Sequence, residues 1–266
     1  MFNFNIILTE KCNARCSHCY MSSDNGFSTK SLSKEQIDVI VEKMPEDTKI
    51  VVFTGGEVFL EKELLHYSIR RVKELRPNAE VGVESNGIYL YNNLIEAKNE
   101  LKVLKELGVS FMRFSDDVFH EQGGVNLEKV RNLKQLEDED TPTIKFLVQD
   151  TALAIGKAKN LPEEQKAVMN CMNSEKSLEN PYLFLDIDGN VFICAWKCSP
   201  AIANIFNDNW QTLVSQLESN LNKLILAGKI EEAVNLVEPN NAELNLQYSK
   251  EKGQCMLCNK VFKGEE

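Results

Sequence analysis

The chain has 266 residues, 43% of them hydrophobic and 26% charged, with a formal net charge of -10. That length supports one large domain with a small appendage, or two modest ones, around a real core. The acidic balance argues against a binder of duplex nucleic acid, which needs a dense basic face, and against attachment to an anionic membrane.

The opening residues, MFNFNIILTEKC, lack the basic start and apolar core of a secretory signal, and no apolar run approaches bilayer length. A cytoplasmic location is therefore expected. In a reducing compartment the eight cysteines are metal ligands or redox groups more often than disulfides.

In chain order, FNFNIIL, KIVVF, AEVGVES, VSFMRF and TIKFLV read as five β-strands. Between the first two, Ser33 and Gln36 form a capping box ahead of a helical stripe of Ile37, Ile40, Val41 and Met44. Leu65, Ile69 and Val72 stripe a second helix, which Pro77 ends, and His66 within it reads as structural. Leu94, Ala97, Leu101 and Leu104 stripe a third, with Gly108 as its C-terminal cap, and a fourth spans Leu127 to Leu136. This alternation predicts an α/β fold of parallel strands joined by crossover helices, either an open doubly wound sheet or a closed or partial (β/α) barrel. In both, chemistry collects at the C-terminal ends of the strands.

The pattern breaks around Leu161-Pro162, which places a domain boundary near residue 165 and divides the chain into 1–165 and 166–266. The second part begins its regular structure with YLFLDIDGNVFIC, a hairpin turning at Asp188-Gly189. A helix with Trp210, Leu213, Val214, Leu217 and Leu221 on one face follows, then a second helix ending before Pro239, and a tail with C-M-L-C.

Residues 11–20, KCNARCSHCY, carry Cys12, Cys16 and Cys19 at C-x3-C-x2-C. Three thiols are one short of a structural tetrahedral metal site and odd for a disulfide framework, whereas on a [4Fe-4S] cube they leave one iron open. From the bare spacing, a zinc knuckle or incidental thiols is the competing reading. At the end of a first strand, LTEKCNARCSHCY resembles the signature of the radical S-adenosylmethionine (SAM) superfamily. The resemblance implies a catalytic [4Fe-4S] cluster on the three cysteines, with SAM bound to the open iron through its amino and carboxylate groups. It further implies reductive cleavage of SAM to methionine and a 5'-deoxyadenosyl radical, which takes a hydrogen atom from a C–H bond. His18 stands in the slot where the family carries an aromatic ring against the adenine.

Other segments extend the resemblance. Thr54-Gly55-Gly56-Glu57 is similar to the family's GGE motif, in which glycines admit the methionine part of SAM and the glutamate meets its ammonium; Val58 replaces a commoner proline. An ordinary βα turn would also accept two glycines. Ser85 and Asn86 end the third strand and Ser115 and Asp117 the fourth, where relatives place polar groups on SAM, although both are also common turn sequences. Asp117, Phe119 and His120 resemble a D-x-F-H stretch, which makes His120 a candidate proton carrier or substrate contact, or else a polar loop histidine. Gly156-Lys157-Ala158 resembles a G-R-A pattern in which the basic residue meets the SAM carboxylate; a solvated lysine is the alternative.

The later cysteines resemble part of a SPASM domain, in its shortened twitch form. On that resemblance Cys171, Cys194, Cys255 and Cys258 hold an auxiliary [4Fe-4S] cluster, with Cys198 left over or exchanging with Cys194. Four thiolates would equally suit zinc. The resemblance thus implies a partial TIM-like (β/α) barrel of about five to six βα units with a small hairpin-plus-helix auxiliary-cluster domain. It implies a radical SAM oxidoreductase or maturase, reduced by a protein such as flavodoxin or ferredoxin and modifying a ribosomal peptide or protein. Dehydrogenation of a sugar or aminocyclitol is the second reading, and a zinc-stabilised binding protein without catalysis the third.

Overall fold

The computed structural model describes residues 1–21 and 30–264. Strands β1 (Phe2–Thr9), β2 (Thr48–Gly55), β3 (Glu80–Ser85), β4 (Val109–Ser115) and β5 (Thr143–Leu147) alternate with helices. The helices are α1 (Lys34–Lys43), α2 (Lys62–Leu75), α3 (Ile88–Tyr91), α4 (Leu94–Glu106), α5 (Val118–Gln122) and α6 (Leu127–Asn132). The capping box closes as the sequence predicts, with Ser33 Oγ accepting from Gln36 N and Gln36 Oε1 from Ser33 N. Gly108, at φ +100, follows the last residue of the α4 cap and accepts the left-handed turn there.

The C-terminal part contributes α7 (Glu175–Glu179), β6 (Tyr182–Leu185), β7 (Asn190–Phe192) and β8 (Ala203–Asn204). Helices α8 (Trp210–Leu217), α9 (Asn220–Leu226), α10 (Ile230–Val237), α11 (Ala242–Lys252) and α12 (Gln254–Lys263) follow. Among the described residues the strands form one eight-stranded sheet in the order β5-β4-β3-β2-β1-β6-β7-β8. β6 lies parallel to β1, with Asn5 opposite Phe184, and only the hairpin strands β7 and β8 run antiparallel. The fold is α/β, a partial TIM-like barrel whose sheet the hairpin continues.

Side chains alternate across each strand. Phe4, Ile6, Leu8, Val51, Phe53, Val83, Met112 and Phe114 are buried in the core. The intervening set, including Asn5, Ile7, Thr54, Glu84 and Arg113, lines a cavity on the other face.

Three helix expectations change in detail. Leu94 is 38% exposed, so the buried stripe of α4 starts at Ala97 and includes Glu100, which His66 Nε2 meets at 2.6 Å from α2. The segment from Leu127 is α-helical to Asn132 and tightens to a 3-10 turn over Leu133–Leu136. Trp210 and Leu221 do not share a helix: Ser219 caps a new one by accepting from Asn222 N, and a serine at that place starts a helix where the one-face pattern continues.

Candidate active site

The three-cysteine loop leaves β1 and is pressed from several sides by backbone. A Cβ on Gly55 would lie 2.3 Å from Thr9 O, and one on Gly56 would lie 2.2 Å from Lys11 O. The space these glycines leave is filled by the chain's own loop, which Gly56 N and Glu57 N also grip by donating to Thr9 O (2.8 Å) and Lys11 O (2.7 Å). Gly123 closes against Cys16, its O accepting from Arg15 N (2.9 Å), and Gly156 closes against Cys19 and Tyr20. Sequence reading missed Gly123, because its neighbours in the chain say nothing of a loop more than a hundred residues earlier.

A cleft of about 350 Å³ gathers nearly all the expected residues. Cys12, Cys16, His18 and Cys19 form one wall; Gly55, Gly56, Ser85 and Asn86 another; Ser115, Asp117 and His120 a third. Two expected residues stand apart from this lining. Lys157 meets the loop through its backbone, donating from N to Cys19 O at 3.1 Å. Glu57 is fully buried beneath the Ser85–Asn86 wall, with Oε1 accepting from Phe59 N (3.1 Å) and Ser85 Oγ (2.9 Å), and Oε2 from Asn86 N (2.9 Å). Burial pushes the Glu57 carboxyl up, against the pull of those hydrogen bonds. Asn86 in turn donates from Nδ2 to Asn13 Oδ1 at 2.8 Å, which ties the wall to the cysteine loop.

The His18 ring stacks on Phe119, centroids 4.7 Å apart, and meets the His120 edge at 4.9 Å. Its Nδ1 is buried without a partner, and burial, with His120 beside it, pushes the imidazole down to about 4. His120 Nδ1 lies 2.8 Å from Asp117 Oδ2; although burial opposes it, that contact holds the Asp117 carboxyl below the usual carboxylate range. Burial pushes the Cys12 thiol up to about 11 and Cys16 up to about 12, and neighbouring thiols and the Glu57 and Asp117 carboxylates add to it. Such thiols ionise when a cationic group arrives to bind them, so the donor set fits a metal cluster.

A second cavity, of about 450 Å³, adjoins the cleft and shares Tyr20, Thr54, Gly55, Glu84 and Trp196 with it. Cys171, Cys194 and Cys255 line this cavity, and Cys258 is buried one turn further along α12. Hydrogen bonds draw the three segments together: Cys255 N to Met169 O (3.2 Å), Cys171 N to Gln254 Oε1 (3.0 Å), and Asn173 Nδ2 to Ile193 O (2.9 Å). Cys198 is 1% exposed, with its Sγ 3.9 Å from Trp196 O, and the closeness of the two thiols holds Cys194 below and Cys198 above the ordinary range. Glu84 and Arg113, cross-strand neighbours on β3 and β4, pair at 2.9 Å within the same cavity.

YydG of Bacillus subtilis strain 168, whose name assigns it to peptide biosynthesis, is 24% identical over 98% of this chain and 92% of its own length. The sporulation killing factor maturation protein SkfB of the same organism is 28% identical over 63% of this chain and 38% of its own. Among solved structures, BtrN in complex with AdoMet and 2-DOIA superposes with a TM-score of 0.61 at 18% identity, covering 87% of this chain and 90% of that one, a likeness of fold. The Radical SAM superfamily pattern matches residues 6–144, more than half of the chain, from β1 through the three-cysteine loop into β5, and the chain belongs to that superfamily.

Proposed function

We propose that this chain is a radical SAM maturase that oxidatively modifies a ribosomal peptide or protein. Membership of the superfamily implies a [4Fe-4S] cluster and SAM, which together supply the 5'-deoxyadenosyl radical that takes a hydrogen atom from substrate. The observation that carries the reading is the pair of joined cavities: one walled by Cys12, Cys16 and Cys19, the other by Cys171, Cys194 and Cys255. A substrate in the larger cavity lies between the two cysteine sets.

In this reading Cys12, Cys16 and Cys19 hold the catalytic cluster, and the cleft of Gly55, Gly56, Ser85, Asn86, Ser115 and Asp117 holds SAM, with His18 on its adenine side. Glu57 supports that wall from beneath, and Lys157 belongs to the same rim. His120, with Nδ1 tied to Asp117, is the group able to hold a proton beside the substrate. Ile7, Phe184 and Trp196 exclude water from the larger cavity. Residues 166–266 form a twitch domain appended to a core of 1–165, with Cys171, Cys194, Cys255 and Cys258 on an auxiliary [4Fe-4S] cluster. The reductant is a flavodoxin or ferredoxin, and the compartment the cytoplasm.

The peptide substrate rests on the likeness to YydG along nearly the full length of both chains. The test is anaerobic turnover with a chemical reductant and SAM. Wild-type protein should release 5'-deoxyadenosine and Cys16→Ala should not. A short peptide encoded beside the gene should raise that release and gain a mass change, whereas stimulation by an aminocyclitol or sugar instead would replace the peptide reading with small-molecule dehydrogenation.

A further inference from the structure

One cysteine of the three-thiol loop also belongs to a different donor set in the cleft. Cys16, His18 and His120 place one donor atom each within 4.8 Å of one another. Zn–S and Zn–N bonds of about 2.3 and 2.0 Å keep ligand atoms within roughly 4 Å of one another, so small side-chain rotations from this spacing would close the three donors on a single ion.

The surroundings of each group suit an ion. Asp117 Oδ2, 2.8 Å from His120 Nδ1 and on a side chain 4% exposed, fixes the tautomer that leaves Nε2 of His120 with its lone pair free. A carboxylate behind a histidine is the usual outer partner of a metal-binding imidazole. His18 is held in place by the Phe119 stack while its Nδ1 is buried with no partner, an orphaned polar atom that calls for one. Cys16 is 7% exposed, so a thiolate there needs a cation beside it.

We propose that, before the three-thiol site is filled, Cys16, His18 and His120 hold a single divalent transition-metal ion with water in the fourth position. Sulfur with two imidazoles is a borderline-soft set that suits Zn²⁺. Cys16 cannot serve this ion and a [4Fe-4S] cube together, so the ion and the cluster exclude each other. Metal at this site protects the thiol and delays cluster assembly until it is removed.

Full-length, cluster-free chain titrated anaerobically with Co²⁺ tests this. Because the second cysteine set is also able to take cobalt, the decisive quantity is a difference: His120→Asn and His18→Phe should each bind about one ion fewer than wild type. His18→Phe keeps an aromatic ring against Phe119, and thermal melting checks that both variants are folded. X-ray absorption of the zinc-saturated wild type should show imidazole scattering as well as sulfur, and chelator treatment should speed cluster reconstitution several-fold. Equal metal uptake by wild type and either folded variant would overturn the proposal, as would sulfur-only coordination at saturation, which does not depend on the variants folding.

Discussion

Tyr20 and Trp196 meet edge to face, ring centroids 5.6 Å apart and planes at 90°. Tyr20 directly follows Cys19, and Trp196 stands two residues after Cys194, so this ring pair joins the two cysteine sets. Both rings also line both cavities. Trp196→Leu removes the edge contact and opens the partition. Product formation should fall by about tenfold, the equivalent of the upper end of about 0.5 to 1.5 kcal/mol for such a pair. SAM cleavage should continue, so the ratio of 5'-deoxyadenosine to product rises. An unchanged ratio would show that the partition does not position substrate.

The cysteine loop is held by glycines far away in the chain. A Cβ on Gly123 would approach Cys16 N at 2.7 Å and its Sγ at 2.9 Å, and one on Gly156 would approach Cys19 O at 2.7 Å. Gly156 also has φ +56, a conformation costing an L-residue about 1 to 2 kcal/mol. Gly123→Ala and Gly156→Ala should each lower iron by up to about four per chain, the content of one cubane, while leaving the second set loaded. Iron and sulfide analysis of anaerobically reconstituted protein reads this directly.

Cys255 and Cys258 lie one turn apart on α12. If they hold an auxiliary cluster, Cys255→Ala combined with Cys258→Ala should take iron from about eight to about four per chain. SAM should then be cleaved slowly without product. Full iron retention would return attention to Cys198, whereas a wild type holding about four iron plus one zinc that the double variant loses would assign the set a structural ion.

Glu57 accepts on both carboxylate oxygens from backbone N–H groups, Phe59 N on Oε1 and Asn86 N on Oε2. In Glu57→Gln one of those donors would face an amide NH₂. Stability should drop by about 1.5 to 3 kcal/mol, the worth of a hydrogen bond to a charged group, seen as a lower urea midpoint. SAM affinity should fall with it, because Ser85 and Asn86 lose their support; unchanged affinity would remove that wall from the SAM site.

His18 is pushed from an ordinary 6.5 to about 4 by burial and by His120. A base held neutral by the fold binds fewer protons than the unfolded chain between those values, so its contribution is full above pH 6.5 and lost as pH falls toward 4. At about 1.4 kcal/mol per unit, the loss is roughly 3 kcal/mol. Cluster-free wild type and His18→Phe should therefore diverge in urea midpoint between about pH 7 and about pH 4.5, the wild type falling more. Parallel pH curves would contradict the buried, neutral ring.

Local pattern was enough for the strands β1 to β5, the Ser33–Gln36 box, the Gly108 stop and the Asp188-Gly189 hairpin, because alternation, capping and turn chemistry act between near neighbours. It was also enough to mark Cys12, Cys16, Cys19 and the Gly55-Gly56 turn, which ride on the ends of those strands. Only the tertiary structure decided that β6 lies parallel beside β1 and that Glu57 faces into protein beneath Ser85 and Asn86. The closure of Gly123 on Cys16 and the gathering of His18 and His120 beside that thiol were settled at the same level. Each of these is a contact between segments distant in the chain, and such contacts are set by which surfaces bury together and which polar groups must find partners once water is excluded, quantities that no window of neighbouring residues contains.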